Sequence, residues 1–267
     1  MENNKYKIVL LSDLKKSTES ELKSTISLLN MLDGGKITLF HVKKPTEVVG
    51  RESQLSAMRS INEVHIETNK TIENLINPIA KEYNLNINYS FAFGNVKNEI
   101  QTYINEHKPD IIVLGKRKPK TFNITGDNIT DLVMKKHDGV IMIASEEHPL
   151  QPNRDFSLGI LNKAENVSSI NFVEDLINKS NQPLKSFKIL KNTNKTSKEV
   201  PVSNKKTVEY VFENGNNALN NVSKYATKNN INLMCVDTRK QNKTNIKNII
   251  NNLNVSLLLT NEQKPVL

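Results

Sequence analysis

Residues 109–120 read PDIIVLGKRKPK, in which four uninterrupted apolar residues, Ile111 to Leu114, run into Gly115 and a loop bearing Lys116, Arg117, Lys118 and Lys120. A strand with one face in water alternates polar and apolar residues. A short run without alternation suits a strand buried on both faces, as in a parallel sheet covered by helices. The same signature recurs at Lys7 to Ser12 (KIVLLS) and at Val140 to Ala144 (VIMIA).

Between these runs the spacing changes to that of helices. Thr18 and Glu21 stand at capping-box spacing ahead of Leu22, Ile26, Leu29 and Leu32, predicting a helix that stops at Gly34-Gly35, where positive φ costs nothing. Ile37 to Val42 supplies the next strand. Apolar residues from Leu55 to Ile79 then predict a long amphipathic helix to about Tyr83, with a kink at Pro78. A strand at Ile87 to Phe93, a turn at Gly94, a helix through Val96, Ile100 and Ile104, and a helix through Ile129 to Met134 complete an alternating β/α order. That order predicts a parallel sheet with right-handed crossovers and helices on both faces.

The rest of the chain repeats the order in abbreviated form. Strands are expected near Ser157 to Leu161, Phe187 to Leu190, Val208 to Phe212, Leu233 to Val236 and Val255 to Leu259. Helices fall at Val167 to Ile177, Ala218 to Ala226 and Ile246 to Leu253, and a polar stretch from Asn192 to Lys206 replaces the long second helix. Losing that helix leaves one sheet face thinly covered. Pro149 and Pro152 mark the linker. The fold class is therefore α/β, with two tandem doubly wound parallel-sheet domains, residues 1–148 and a degenerate copy over 153–267.

The first 145 residues or so resemble a universal stress protein domain. The resemblance rests on IVLLSD ending at Asp13, TLFHV ending at Val42, Gly94 before a helix, and PDIIVLG ending at Gly115. It implies the adenine nucleotide alpha hydrolase-like fold with strand order 3-2-1-4-5. It also implies a non-catalytic stress-response binding or sensing protein, cytoplasmic, with ATP or another adenine nucleotide as ligand of the first domain. ATP-binding members carry G-x2-G-x9-G-[ST] after the fourth strand, glycines that let backbone amides approach phosphates beside a helix N-terminus. Here Gly115 is kept, Lys118 stands at the second glycine, only residues 119–125 separate it from Gly126, and Asp127 replaces Ser or Thr. The cations Lys116, Arg117, Lys118 and Lys120 supply charge where glycines are missing, and Asp127 also suits an N-cap that needs no ligand. The resemblance places Asp13 and the Val42 backbone at the adenosine end, at the carboxyl ends of the strands.

In the second copy Asn162 falls where Asp13 would be, and Cys235 to Arg239 replaces the strand end and its glycine, so no nucleotide is expected there. The resemblance implies a structural use: the two copies pair through their final strands as an intrachain pseudo-dimer, and a homodimer of the chain is a further assembly. The alternative function is a structural or protein-interaction module with no nucleotide.

Composition narrows the remaining classes. Residues 1–150 carry 20 basic and 19 acidic residues and the rest 17 and 9, so nearly all of the net charge of +9 lies in the second half. Lys185 to Lys206 holds seven lysines against Glu199 alone, a stretch suited to an acidic partner. No stacking aromatics interleave there, which favours a solvated loop over a nucleic-acid site. The lone Cys235 allows no intrachain disulfide, and the N-terminus lacks the flanks of a secretory signal. No apolar run is long enough for a membrane helix. The five histidines lack metal-ligand spacing, and no phosphate-binding loop of the GxxxxGK type, HExxH or nucleophile elbow is present, so no catalysis is expected.

Overall fold

The computed structural model describes residues 6–32, 34–44, 54–116, 129–152, 154–162, 171–180, 182–190, 206–238 and 243–260. The first half runs β1 (Tyr6–Ser12), α1 (Thr18–Asn30), β2 (Gly35–Lys43), α2 (Gln54–Tyr83), β3 (Ile87–Phe93), α3 (Val96–His107), β4 (Ile111–Gly115), α4 (Ile129–Lys136) and β5 (Val140–Ala144). The second runs β6 (Leu158–Leu161), α5 (Asn171–Lys179), β7 (Leu184–Ile189), β8 (Thr207–Phe212), α6 (Ala218–Lys228), β9 (Leu233–Asp237), α7 (Lys243–Asn252) and β10 (Ser256–Thr260).

All ten strands join one sheet in the order β3-β2-β1-β4-β5-β10-β9-β6-β7-β8. Counted within its own half, each set reads 3-2-1-4-5. The internal repeat is therefore a repeat of topology. The two sets meet at β5 and β10, which pair antiparallel with Met142 opposite Leu258, whereas the ladders within each half are parallel. This is the expected pairing through final strands.

Alternation along the strands divides the core between the two faces. Ile8, Leu10, Val113 and Met142 face α1, α2 and α5, in a layer that continues into Leu158, Phe172 and Leu176 of the second half. Val9, Leu11, Ile112 and Ile143 face the other side, with Tyr103 of α3, Val133 of α4, Val222 of α6 and Ile249 of α7. Neither layer stops at the junction. Across it the Tyr6 hydroxyl donates to Asp175 at 3.2 Å, the Ser145 amide donates to Ser256 Oγ at 3.1 Å, and Lys247 pairs with Asp131 at 2.6 Å.

Residues 191–205, where the sequence predicts a polar stretch in place of a second helix, lie outside the described residues, but the outer strands of the two halves can be compared. In the first half Ile87, Tyr89 and Phe91 of β3 share a core layer with Ile72, Ile76 and Ile79 of α2. In β8 the corresponding alternate positions are Thr207, Glu209 and Val211, all exposed, and Glu209 pairs with Lys188 of β7 at 3.7 Å. Thr207 and Glu209 thus present polar side chains where β3 presents Ile87 and Tyr89 to α2.

Two local expectations need correction. Thr18 is the first residue of α1 rather than its cap; Ser17 takes the cap position without a side-chain bond. The Thr18 hydroxyl instead bonds that of Ser12 at 2.9 Å. The helix ends at Asn30, and Gly34, with φ 99°, turns the chain into β2. The long helix continues through Pro78 to Tyr83.

Cys235 is buried in β9, and burial pushes its thiol up to about 12, so almost no thiolate forms at neutral pH. The native protein is expected to leave an aromatic disulfide reagent unconsumed for as long as it stays folded, and to consume one equivalent on unfolding. Rapid labelling of the native chain would show that β9 opens locally.

Candidate functional site

In a doubly wound sheet the crevice lies where neighbouring strands send their connections to opposite faces, here between β1 and β4, at their carboxyl ends. The register sets the residues there: Leu11 stands beside Leu114 and Ser12 beside His41, while β2 runs on past the end of that ladder through Val42 to Lys43. Asp13 and Gly115 follow directly at the ends of β1 and β4.

Ser12 holds the floor of this crevice together. Its hydroxyl accepts from the Leu14 amide at 3.0 Å, and its carbonyl accepts from Nδ1 of buried His41 at 2.9 Å. Leu14 has φ 55°, a backbone turn that this bond fixes. His41 thus acts as a brace between β1 and β2. Asp13 is partly exposed; its carboxylate accepts from the Lys15 amide at 3.3 Å and pairs with the Lys15 ammonium at 3.0 Å.

The residue that sequence reasoning missed is Glu21. It is buried, and a Cβ built on Gly115 would lie within bonding range of its carboxylate, so the glycine at the end of β4 makes room for this side chain. The signal was present: Thr18, Glu21, Thr25 and Leu29 share a helical stripe with the core residues Leu22 and Ile26, which places a carboxylate on the buried side.

Lys116 departs from its expected role. Its ammonium donates to the carbonyl of Leu253 at 2.6 Å, just beyond the end of α7, and burial holds its pKa below the usual lysine range. It ties the first half to the second and completes a helix C-terminus where a cation is favoured. Arg117, Lys118, Gly126 and Asp127, the other residues expected around phosphate, lie outside the described residues.

The described residues therefore divide on an adenine nucleotide. The partly exposed Asp13 carboxylate and the strand end at Val42 fit a nucleoside, whose hydroxyls and ring amine donate. Glu21 and the committed Lys116 do not fit phosphates: two unit charges 4 Å apart interact by about 4 kcal/mol at an effective dielectric of about 20.

In the second half Asn162 stands at the position equivalent to Asp13 and is likewise partly exposed. It has φ 47°, its Oδ1 accepts from the Ile189 backbone amide at 2.9 Å, and its backbone N–H donates to the Phe187 carbonyl at 2.7 Å. Among the described residues no group of three His, Cys, Asp or Glu side chains is arranged to hold a metal ion, and no helix is long and apolar enough to cross a membrane.

No family model matches the sequence, and no curated protein matches it. Among solved structures, a universal stress protein from Archaeoglobus fulgidus DSM 4304 matches 97% of this chain and 98% of its own, at 13% identity and a TM-score of 0.68. The chain has the universal stress protein fold. A protein of unknown function from Pseudomonas aeruginosa PAO1 is similar over 96% of this chain and 93% of its own, at 9% identity and a TM-score of 0.53. The universal stress protein fold thus extends over the whole tandem arrangement, including the degenerate half.

Buried His137 lies away from the crevice, beyond the C-terminus of α4, where its Nε2 donates to the Val140 carbonyl at 3.3 Å. Burial lowers its pKa, partly opposed by bonds to the Val140 and Asp110 carbonyls and by the charges of Asp138 and Asp110. The unfolded chain therefore takes up this proton first as pH falls. Stability from His137 is complete above about pH 6.5 and is lost as pH drops toward the folded value. Midpoints of thermal unfolding measured between pH 5 and 8 should fall on the acid side, and His137→Gln should flatten that fall. An unchanged slope in the variant would assign the acid sensitivity elsewhere.

Proposed function

We propose that this chain is a tandem member of the universal stress protein family, a cytoplasmic and non-catalytic stress-response protein that works by binding. Its domains are residues 1–148 and 153–267, and its ligand position is the crevice of the first. The observation that carries this reading is that the partly exposed Asp13 carboxylate and the strand end at Val42 stand together at the carboxyl ends of β1 and β2, whereas the equivalent position of the second half holds the uncharged Asn162, whose Oδ1 accepts from the Ile189 amide. The candidate ligand is ATP or another adenine nucleotide, entering by its nucleoside. Asp13 accepts hydrogen bonds from the ribose or the ring amine, the Val42 backbone borders the base, and affinity for the phosphates rests on the charges of Arg117 and Lys118 and the backbone amides of Gly126 and Asp127.

A second reading is favoured by Glu21, whose buried carboxylate sits against Gly115, and by Lys116, whose ammonium is engaged by Leu253. On that reading the chain is a structural or protein-interaction module with no nucleotide. Isothermal titration of adenosine, AMP and ATP with Mg²⁺ separates the two. Saturable heat with any of them that is lost in Asp13→Ala and in Gly115→Trp supports the first. Asp13 is partly exposed, so its variant leaves the fold intact even where Trp at position 115, forced against Glu21, does not. Absence of heat from all three ligands leaves the interaction module.

A further inference from the structure

A second concave site lies where the halves meet, between the turn after β5, the helix α6 and the approach to β10. It is an open cavity of about 380 Å³ lined by His148, Ser223, Lys224, Thr227, Lys228 and Asn254. Hydrogen bonds from both halves build its floor. The hydroxyl of buried Ser145 donates to the Asn254 carbonyl at 2.8 Å and accepts from the His148 backbone amide at 3.1 Å. The hydroxyl of buried Ser223 accepts from the Asn254 backbone amide at 3.0 Å, and the Ser223 carbonyl accepts from the Thr227 hydroxyl at 3.0 Å. Either half alone would lack part of this frame.

Above the floor the exposed side chains of His148, Lys224, Lys228 and Asn254 have no hydrogen-bond or ion-pair partner among the described residues. Lys224 and Lys228 stand one turn apart on α6, where like charges repel. The second half supplies them no counterion: residues 214–236 and 243–260 contain Lys224, Lys228, Lys243 and Lys247 and no Asp or Glu. Lys247 is taken by Asp131. From the first half, Glu146 and Glu147 are exposed beside His148, and the charge of Glu147 acts on Lys116. Two ammonium groups, an amide and an imidazole thus converge with no protein acceptor between them, a donor set matched to an oxyanion. Lysine holds phosphate as a point charge, whereas a planar carboxylate is matched by the guanidinium fork of arginine, and no arginine lines the cavity. We infer that this cavity binds the phosphate group of a small molecule, an organic phosphate or a pyrophosphate. Lys224 and Lys228 supply the charge, and His148 and Asn254 orient the ligand. The site shares no residue with the crevice of the first half and stands whether or not a nucleoside binds there.

The probe is pyrophosphate without metal, titrated into the full chain at fixed low ionic strength and followed by calorimetry and by backbone amide resonances, with citrate and adenosine as comparisons. The expected result is one saturable site, with shifts centred on Ser145, His148, Lys224, Lys228 and Asn254. Lys224→Glu and Lys228→Glu should each weaken pyrophosphate about tenfold or more, whereas Asp13→Ala and Lys70→Glu, the same charge change on exposed α2, should leave it within about twofold. All three lysines are exposed, so their variants should melt within about 2 °C of the wild type. Heat from adenosine should be untouched by Lys224→Glu, so this proposal and the nucleotide reading fail separately. No saturable binding of pyrophosphate would overturn the proposal. So would equal weakening by Lys70→Glu, the mark of an adventitious ion only, or tighter binding of citrate, which would assign the cavity to carboxylates. Loss of pyrophosphate binding in Asp13→Ala would return the anion to the first half.

Discussion

Leu258→Ala is expected to destabilise the entire chain by about 3 kcal/mol, within the range for fully buried leucines, and to do so in one unfolding transition. Leu258 is fully buried at the centre of β10 and stands opposite Met142 of β5 in the ladder that joins the halves. The core layer that holds it contains Ile8 and Leu10 on one side and Leu176 and Cys235 on the other. A cavity at this point is therefore felt by both halves. Denaturant unfolding followed in parallel by far-ultraviolet circular dichroism and by tyrosine fluorescence should give one shared midpoint, lowered in the variant. Met142→Ala should act alike, and the double variant should cost less than the sum, because the two side chains border the same space. Two separated transitions, with only the later one moved, would mean that the halves are independent bodies and that the junction is a contact rather than a core.

Glu21→Gln is expected to tighten ATP by about tenfold while leaving adenosine unchanged, the differential that a single removed charge at several ångströms produces. The argument is electrostatic and needs no shape change, since Gln fills nearly the same volume beside Gly115. Competition of ATP against a fluorescent adenosine derivative, on wild type and variant at low salt, reads the ratio directly. An equal gain for both ligands would indicate relief of a steric block. No gain for either would remove Glu21 from the account of phosphate exclusion and weaken the case that this crevice is tuned against triphosphates.

The order of elements was legible because each signal was strong where it mattered. Ile111 to Leu114 and Val140 to Ala144 are apolar on both sides of the strand, and only a sheet with helices on both faces buries such runs. The second half was legible in the same way, and β8 presents Thr207 and Glu209 where β3 presents Ile87 and Tyr89. What the sequence concealed were side chains with two plausible partners. Glu21 satisfies a capping spacing from Thr18 and also a buried stripe, and the stripe prevailed because Ser17, one residue before Thr18, takes the cap position. Lys116 looked like part of a basic loop, yet its ammonium is matched to the carbonyl of Leu253, a residue far along the chain that only the closing of β5 against β10 brings near. Contacts of that separation depend on tertiary assembly and leave no local pattern.

The central claim is that nucleoside binding belongs to the first half alone. Its most direct test is the thermal midpoint of purified, ligand-free protein with and without adenosine at about 5 mM, because a ligand that binds only the folded state must raise its stability. The account expects a rise of about 3 °C, the size that 1 kcal/mol or so gives in a chain of this length, absent in Asp13→Ala and retained in Asn162→Ala. No rise in the wild type, or a rise that survives Asp13→Ala and disappears in Asn162→Ala, would contradict it.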